Sequence, residues 1–204
     1  MTDEYDFRTI YDEYHPKIVR YLTRVVGATD AEDIAQEVFD RVHRNLGDFR
    51  GQSKLSTWIY RIATNAAIDS RRSAAYRYTK ELFPLEEAVD AACLPDPADH
   101  DDEASDRTLI RREMSDCVKE FIDRLPPDDR TVIVLSELEG LSNEEIADVL
   151  EISLNNAKIR LHRARAKLRT ALEKGCVFYR NEENVFACDR KPAGIASKPP
   201  SDDR

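Results

Sequence analysis

Apolar residues recur along most of this chain at steps of three and four, the spacing that lines one face of an α-helix. From Asp6 to Val26 the positions Phe7, Ile10, Tyr11, Tyr14, Ile18, Tyr21 and Leu22 follow it. Pro16 is the expected kink or boundary there, because proline lacks the amide that an interior turn uses. Thr29 and Glu32 have the spacing of a capping box, and Ile34, Val38, Val42 and Leu46 then mark one face, which predicts a helix from Asp30 to Asn45. Gly47 stops it, and Asp48 to Ser56 reads as a polar loop. Helix resumes from Thr57 to about Tyr78, with Trp58, Ile59, Ile62, Ala63, Ala66 and Ile68 apolar and Arg71, Arg72 and Arg77 near its end.

Periodicity fails from Thr79 to Asp106, where Pro84, Pro95 and Pro97 join the acids Asp99, Asp101, Asp102 and Glu103, so this segment reads as a linker. Helical pattern returns from Arg107 to Arg124, is punctuated by Pro126 and Pro127, and continues through Val132, Ile133, Leu135 and Leu138 to Gly140. Ser142 and Glu145 make a second capping-box spacing and open a short helix with Ile146, Val149 and Leu150 on one side. Three or four residues later a longer helix begins, Leu154 to Lys174, whose apolar face is Leu154, Ala157, Leu161, Ala164, Leu168 and Leu172. Beyond it, Val177 to Arg180 and Val185 to Cys188 flank Asn-Glu-Glu-Asn, the pattern of a β-hairpin, and the last residues read as a disordered tail.

Charge changes the meaning of the longer helix. The chain of 204 residues has net charge −9, yet residues 154–174 carry seven bases, Lys158, Arg160, Arg163, Arg165, Lys167, Arg169 and Lys174, against one acid, Glu173. The segments on its amino-terminal side are acidic: 11 acids to 4 bases over 79–113, and 11 to 3 over 114–153. A short, dense basic surface in an acidic protein suits phosphates, while the bulk acidity limits indiscriminate binding to nucleic acid. Capped helix, tight turn and basic helix together make a helix-turn-helix, whose second helix enters the major groove. Lys158, Ile159, His162, Arg163 and Ala166 lie opposite the leucine face as candidate base readers, and Arg160, Arg165, Lys167 and Arg169 as phosphate contacts. A plain helical hairpin with a solvated basic face is the alternative.

Other classes find little support. No run approaches the roughly 20 apolar residues of a membrane span, and the amino terminus lacks a basic then apolar signal pattern, so no membrane insertion and a cytoplasmic location are expected. Cys93, Cys117, Cys176 and Cys188 are too few and scattered for a disulfide framework. An enzyme reading would place its carboxylates in the linker beside His100 alone, with His15, His43 and His162 far apart and no nucleophile motif. No catalytic site, cofactor or small-molecule substrate is therefore expected.

The segments DAEDIAQEVFDRVHRNLGDFRGQSKLSTWIYRIATNAAIDSRRS (30–73) and LPPDDRTVIVLSELEGLSNEEIADVLEISLNNAKIRLHRARAKLR (125–169) closely resemble conserved regions two and four of bacterial extracytoplasmic-function sigma factors, group 4 of the sigma-70 family. They stand in the family's order with an acidic linker between them, and the resemblance covers about residues 5–174. It implies an all-α chain of two small helical domains: region two over 1–78, a linker over 79–106, and region four over 107–174. A carboxyl-terminal extension with a short hairpin follows over 175–204. The implied function is promoter-specific initiation of transcription, with core RNA polymerase and promoter DNA as partners and an anti-sigma factor as a candidate third. A stand-alone dimeric regulator would share the helix-turn-helix but leave the segment from Asp48 to Ile68 without a purpose.

The resemblance also assigns roles. Asp33, Gln36, Glu37, Asp40 and Arg41 face outward on the helix that docks on the polymerase. Phe49, Arg50, Gln52, Ser53 and Lys54 lie in the loop that receives a flipped base of the minus-ten element, with Trp58, Tyr60, Arg61 and Asn65 following in the strand-melting helix. Trp58 lies among apolar neighbours, so a core role competes with stacking on a base. Lys158, Ile159, Arg160, His162, Arg163 and Arg165 fall to the minus-thirty-five element. The acidic linker corresponds to the segment that occupies the RNA exit channel. Where the family has glycine-isoleucine-proline and glycine-threonine-valine, this chain has Glu151, Ile152, Ser153 and Asn155, Asn156, Ala157. Ser153 is expected to cap the helix and Asn155 to supply the turn. Ile159 occupies a position normally small and polar. In the extension, a turn centred on Glu182 and Glu183 sets Cys176 and Cys188 nearly opposite each other, as a redox pair, as half of a zinc site, or simply as packed thiols. Two cysteines fall short of the four ligands of a structural zinc site, so no metal is assigned.

Overall fold

The computed structural model describes residues 6–80, 117–180 and 186–191. The expected linker, Cys93, the helix start at Arg107, the terminal tail and the side chains of 74–80, Arg77 among them, lie outside the described residues.

Three helices form the amino-terminal unit: α1 (Phe7–Val26), α2 (Ala28–Asn45) and α3 (Leu55–Lys80). Asp6 caps α1 by accepting from the Thr9 amide at 3.0 Å. Pro16 neither ends nor divides the helix, which is continuous across it. One residue, Gly27 at φ 100°, separates α1 from α2 in a backbone region that favours glycine. Gly27 is also the cap of α2, and no side chain caps it, so the Thr29 and Glu32 capping box expected from spacing does not form. Ile18, Tyr21, Leu22, Val38, Val42, Ile59 and Ala63 fill the core between the three helices and are essentially inaccessible. Each aliphatic side chain buried so completely contributes about 1.5–3 kcal/mol relative to exposure. The Tyr21 hydroxyl reaches the Thr64 hydroxyl at 2.8 Å, and Thr64 in turn donates to the Tyr60 carbonyl at 2.7 Å, which satisfies these two buried hydroxyls.

The carboxyl-terminal unit contains α4 (117–123), α5 (Pro127–Ile133), α6 (Asn143–Leu150) and α7 (Leu154–Gly175). Proline begins α5, where its missing amide costs nothing. The helix widens into a π-turn over Val134–Leu138 and ends at Glu139. Ile122, Leu125, Val132, Ile133, Leu135, Ile146, Val149, Ala157, Leu161 and Ala164 form its core. Leu154, expected on the apolar face of α7, is 37% exposed instead. Past α7 the chain reverses in an antiparallel hairpin, β1 (Cys176–Arg180) with β2 (Phe186–Arg190). The all-α, two-domain architecture with a short terminal hairpin is as the sequence indicates. Among the described residues no helix is long and apolar enough to cross a membrane.

Candidate nucleic-acid interface

The helix-turn-helix is built from local hydrogen bonds that the sequence encodes. The Ser142 amide donates to Glu145 Oε2 at 2.8 Å and the Glu145 amide to Ser142 Oγ at 3.2 Å, so the second capping box forms in full. Glu151 ends α6 in the left-handed conformation at φ 52°. Ile152 donates to the Ala147 carbonyl at 3.0 Å and packs its side chain against the core. Ser153 Oγ then accepts from the Asn156 amide at 3.2 Å and starts α7. Glu151 therefore supplies the turn, and Asn155, expected to do so, is already helical.

Ala157, Leu161 and Ala164 anchor α7 in the bundle, which turns Lys158, Ile159, His162, Arg163 and Ala166 outward together. Ile159, 40% exposed, is an apolar side chain in the middle of this polar face. The exposed cations divide into two groups. Arg165 is clamped by Glu137, with nitrogen to oxygen distances of 2.6 and 2.9 Å, and Lys167 by Asp129 at 2.5 Å. Arg169 pairs with Glu173 at 3.2 Å. Lys158, Arg160 and Arg163 have no ion-pair partner among the described residues.

The second candidate surface lies at the junction of α2 and α3. A single 3-10 turn, Leu46–Asp48, leads into a loop over 49–54 that bends at Gly51 (φ 67°). The Phe49 and Trp58 rings approach to 5.1 Å between centroids, and Trp58 also packs on the core, which bears out a structural part for it. Arg50, Gln52 and Lys54 are exposed, and Ser53, Arg61 and Asn65 half-buried. Tyr60 differs from its neighbours. It is 4% exposed, and its hydroxyl donates to Glu139 Oε2 of the carboxyl-terminal unit, so in this arrangement it offers nothing to a base. Burial first and the Glu139 carboxylate second raise its hydroxyl far above the ordinary tyrosine range.

Tyr60 is part of a contact between the two units that sequence inspection missed. Arg20 lies 3.5 Å and Tyr60 2.5 Å from Glu139, Arg24 3.0 Å from Asp123, Lys54 2.9 Å from Glu145, and Arg71 3.9 Å from Asp128. Every cation here belongs to the amino-terminal unit and every acid to the carboxyl-terminal one. The signal was present in the surplus of acids over 114–153, which the linear sequence did not connect to any partner. Elsewhere, α2 shows an exposed polar stripe of Asp33, Gln36, Glu37 and Asp40, with Arg41 paired to Glu37 at 2.5 Å.

In the hairpin, Cys176 pairs with Arg190 and Cys188 with Phe178, one residue out of the register that a turn centred on Glu182 and Glu183 gives. The two cysteines are therefore diagonal neighbours rather than nearly opposite. A third thiol, Cys117 of α4, joins them, with its Sγ 4.0 Å from that of Cys176. Burial first, then the neighbouring thiols Cys117 and Cys188, pushes the Cys176 thiol up to about 11.

Two helical units, one with a basic helix-turn-helix and the other with an aromatic loop and helix, define a two-domain DNA-binding transcription factor. Comparison with known proteins gives the family. Residues 10–77 match the model of sigma-70 region 2, and residues 115–168 that of sigma-70 region 4. The chain is 36% identical over 172 residues to the RNA polymerase sigma-H factor of Pseudomonas aeruginosa, covering 84% of this chain and 88% of that one. It is also 36% identical over 179 residues to the extracytoplasmic-function sigma factor SigW of Bacillus subtilis, covering 83% and 90%. Among solved structures it resembles the sigma factor RpoE of Bartonella quintana, in complex with the anti-sigma factor NepR, with a TM-score of 0.62 at 20% identity, covering 82% and 97%. The chain belongs to the extracytoplasmic-function sigma factors of the sigma-70 family. It directs promoter-specific initiation of transcription as a DNA-binding regulator.

Proposed function

We propose that this chain is a group 4 sigma factor that works in the cytoplasm, with residues 1–78 as region two, 79–106 as linker, 107–174 as region four and 175–204 as an extension. Its basic helix α7 reads the minus-thirty-five element through Lys158, Ile159, His162 and Arg163, and Arg160 and Arg165 hold the backbone. The loop and helix carrying Phe49, Arg50, Gln52, Ser53, Lys54, Trp58, Tyr60, Arg61 and Asn65 engage the minus-ten element, with Tyr60 exposed only once the two units separate. The stripe Asp33, Gln36, Glu37, Asp40 and Arg41 docks on core RNA polymerase. An anti-sigma factor is a natural partner, since solved relatives of the same fold are held by one.

The observation that carries this reading is the cap-to-cap geometry from Ser142 to Asn156, which sets Lys158, Arg160 and Arg163, without an ion-pair partner among the described residues, against solvent. Transcription in vitro with purified core polymerase over a promoter library tests it, and failure to initiate at any promoter would refute it. Asp33→Arg and Asp40→Arg are expected to weaken core binding while leaving the helical circular dichroism unchanged, because both side chains are exposed.

A further inference from the structure

Three of the four cysteines meet at a place that neither DNA-facing surface uses. Cys117 lies on α4, Cys176 opens β1 and Cys188 sits in β2, and their three Sγ atoms are all within 4.8 Å of one another. Cys176 is 2% exposed, and the other two are half-buried. The register gives Cys176 and Cys188 one face of the hairpin as diagonal neighbours. Diagonal Cα atoms stand about 7–8 Å apart. Disulfides usually join Cα atoms about 4.4–6.8 Å apart, so a Cys176 to Cys188 bond requires the strands to move. An ion at the centre reaches all three sulfurs without that movement. Zinc to sulfur bonds of about 2.3 Å at tetrahedral angles set sulfurs roughly 3.8 Å apart, close to the 4.0 Å between Cys117 and Cys176.

The surroundings point the same way. Two five-residue strands form only a marginal hairpin in water, and this one carries Val177, Phe178 and Tyr179 at 51%, 38% and 41% exposure. Its protein ties gather around the same corner. Arg190 pairs with Glu120, one turn along α4 from Cys117, and its guanidinium lies over the Phe121 ring. The Lys191 amide donates to the Gly175 carbonyl at 2.9 Å. Phe121 lies so close to Gly175 that a Cβ there would run into the ring. Soft sulfur ligands select zinc or copper(I) over magnesium, calcium or manganese.

We propose that Cys117, Cys176 and Cys188 form a three-thiolate site for one thiophilic metal ion, zinc(II) or copper(I), which clamps the terminal hairpin to α4 beside the root of the recognition helix. On binding, the thiols lose their protons to solvent and the sulfurs donate to the metal, with no change of oxidation state. The site is independent of whether the chain initiates transcription.

The test uses the full chain, reduced and free of oxygen. One arm titrates zinc(II), with cobalt(II) as its spectroscopic probe, and the other titrates copper(I) against a competing chelator. The expected result is one ion per chain in one of the arms, with a thiolate to cobalt charge-transfer band if the zinc arm is positive. Cys117→Ser, Cys176→Ser and Cys188→Ser should each weaken binding by orders of magnitude at unchanged helical circular dichroism. Chelation of the wild type needs no variant, and should speed hydrogen exchange in the amides of Cys176–Arg180 while the helical bundles stay protected. The proposal is overturned if neither ion binds the wild type more tightly than it binds Cys117→Ser. It is equally overturned if the reduced protein takes up no metal and mass spectrometry finds a disulfide among these cysteines.

Discussion

The hydroxyl of Tyr60 donates to the carboxylate of Glu139, and this one bond ties α3 of region two to the end of the π-turn in region four. Glu139 is 3% exposed in its side chain, with Arg20 at 3.5 Å as its other partner. A hydrogen bond to a charged group in such a site contributes about 1.5–3 kcal/mol. Tyr60→Phe and Glu139→Gln are accordingly expected to shift the two units apart, seen as a larger radius of gyration in small-angle scattering. Binding of the free protein to single-stranded minus-ten DNA should rise in parallel for Glu139→Gln, which leaves Tyr60 intact. An unchanged radius in both variants would show that this bond does not hold the units together.

Besides the apolar packing of α3 on α6, ion pairs cross between the units, and these should respond to salt. Lys54, Arg24 and Arg71 meet Glu145, Asp123 and Asp128, and the screening length falls from about 10 Å at 0.1 M to about 3 Å at 1 M. Exposed pairs contribute only about 0–1 kcal/mol each, so the expectation is a graded opening with salt and no sharp transition. A radius of gyration independent of salt would contradict it.

Acid should act on the same seam through Glu145. Lys54 first, then the Ser142 amide, holds the Glu145 carboxyl below the ordinary glutamate range. A group with a depressed value in the folded state contributes its stability above the ordinary value and loses it as pH falls through the depressed one. Lowering pH through and below the normal glutamate range should therefore loosen the seam. Lys54→Gln should flatten that dependence while keeping the capping box, whereas Glu145→Gln removes both the pair and the carboxylate of the box. Identical acid profiles for wild type and Lys54→Gln would remove the assignment.

Much of this architecture was legible because helix periodicity and caps are local. Ile146, Val149, Ala157, Leu161 and Ala164 are buried as their spacing indicates, and Ser142 with Glu145 caps α6 as its sequence pattern does. Thr29 with Glu32 shows the same pattern without the box, since Gly27 already turns the chain one residue before α2. Tyr60, expected from its sequence position to face DNA, is buried by Glu139, which is 79 residues away and joined to it only by tertiary packing. The cysteine cluster was half legible for the same reason: Cys176 and Cys188 belong to one hairpin, but Cys117 comes from a helix 59 residues before Cys176.

Glu151 offers a test of local strain. It is the sole non-glycine residue with positive φ among the described residues, and an L-residue in that region costs about 1–2 kcal/mol relative to its preferred conformations. Glu151→Gly should relieve most of this, offset by the greater freedom glycine gains when unfolded, for a net gain of up to about 1 kcal/mol in denaturant unfolding. Asn155→Gly, by contrast, lies within α7 and should cost a few tenths to about 1 kcal/mol. A reversed order would mean that the turn lies where the sequence first suggested.

The pairing of Arg165 with Glu137 predicts how region four trades affinity against selectivity. Arg165 holds Glu137 through two nitrogens and also reaches Ser136 Oγ at 3.3 Å, so a DNA phosphate must displace an existing carboxylate to recruit it. Glu137→Gln removes the competing charge and should strengthen binding to any DNA sequence, making the dependence on salt steeper by up to about one unit in the log-log slope as one more phosphate contact forms. Arg163→Ala should act oppositely, because Arg163 has no ion-pair partner among the described residues and faces outward beside His162. If Arg163 reads a base, its loss costs about 1–3 kcal/mol on the preferred minus-thirty-five sequence and little on scrambled DNA; a loss equal on both would make it a phosphate contact. Binding of the polymerase holoenzyme to matched and scrambled duplexes at several salt concentrations separates the two, and an unchanged slope for Glu137→Gln would show that the carboxylate does not compete with phosphate.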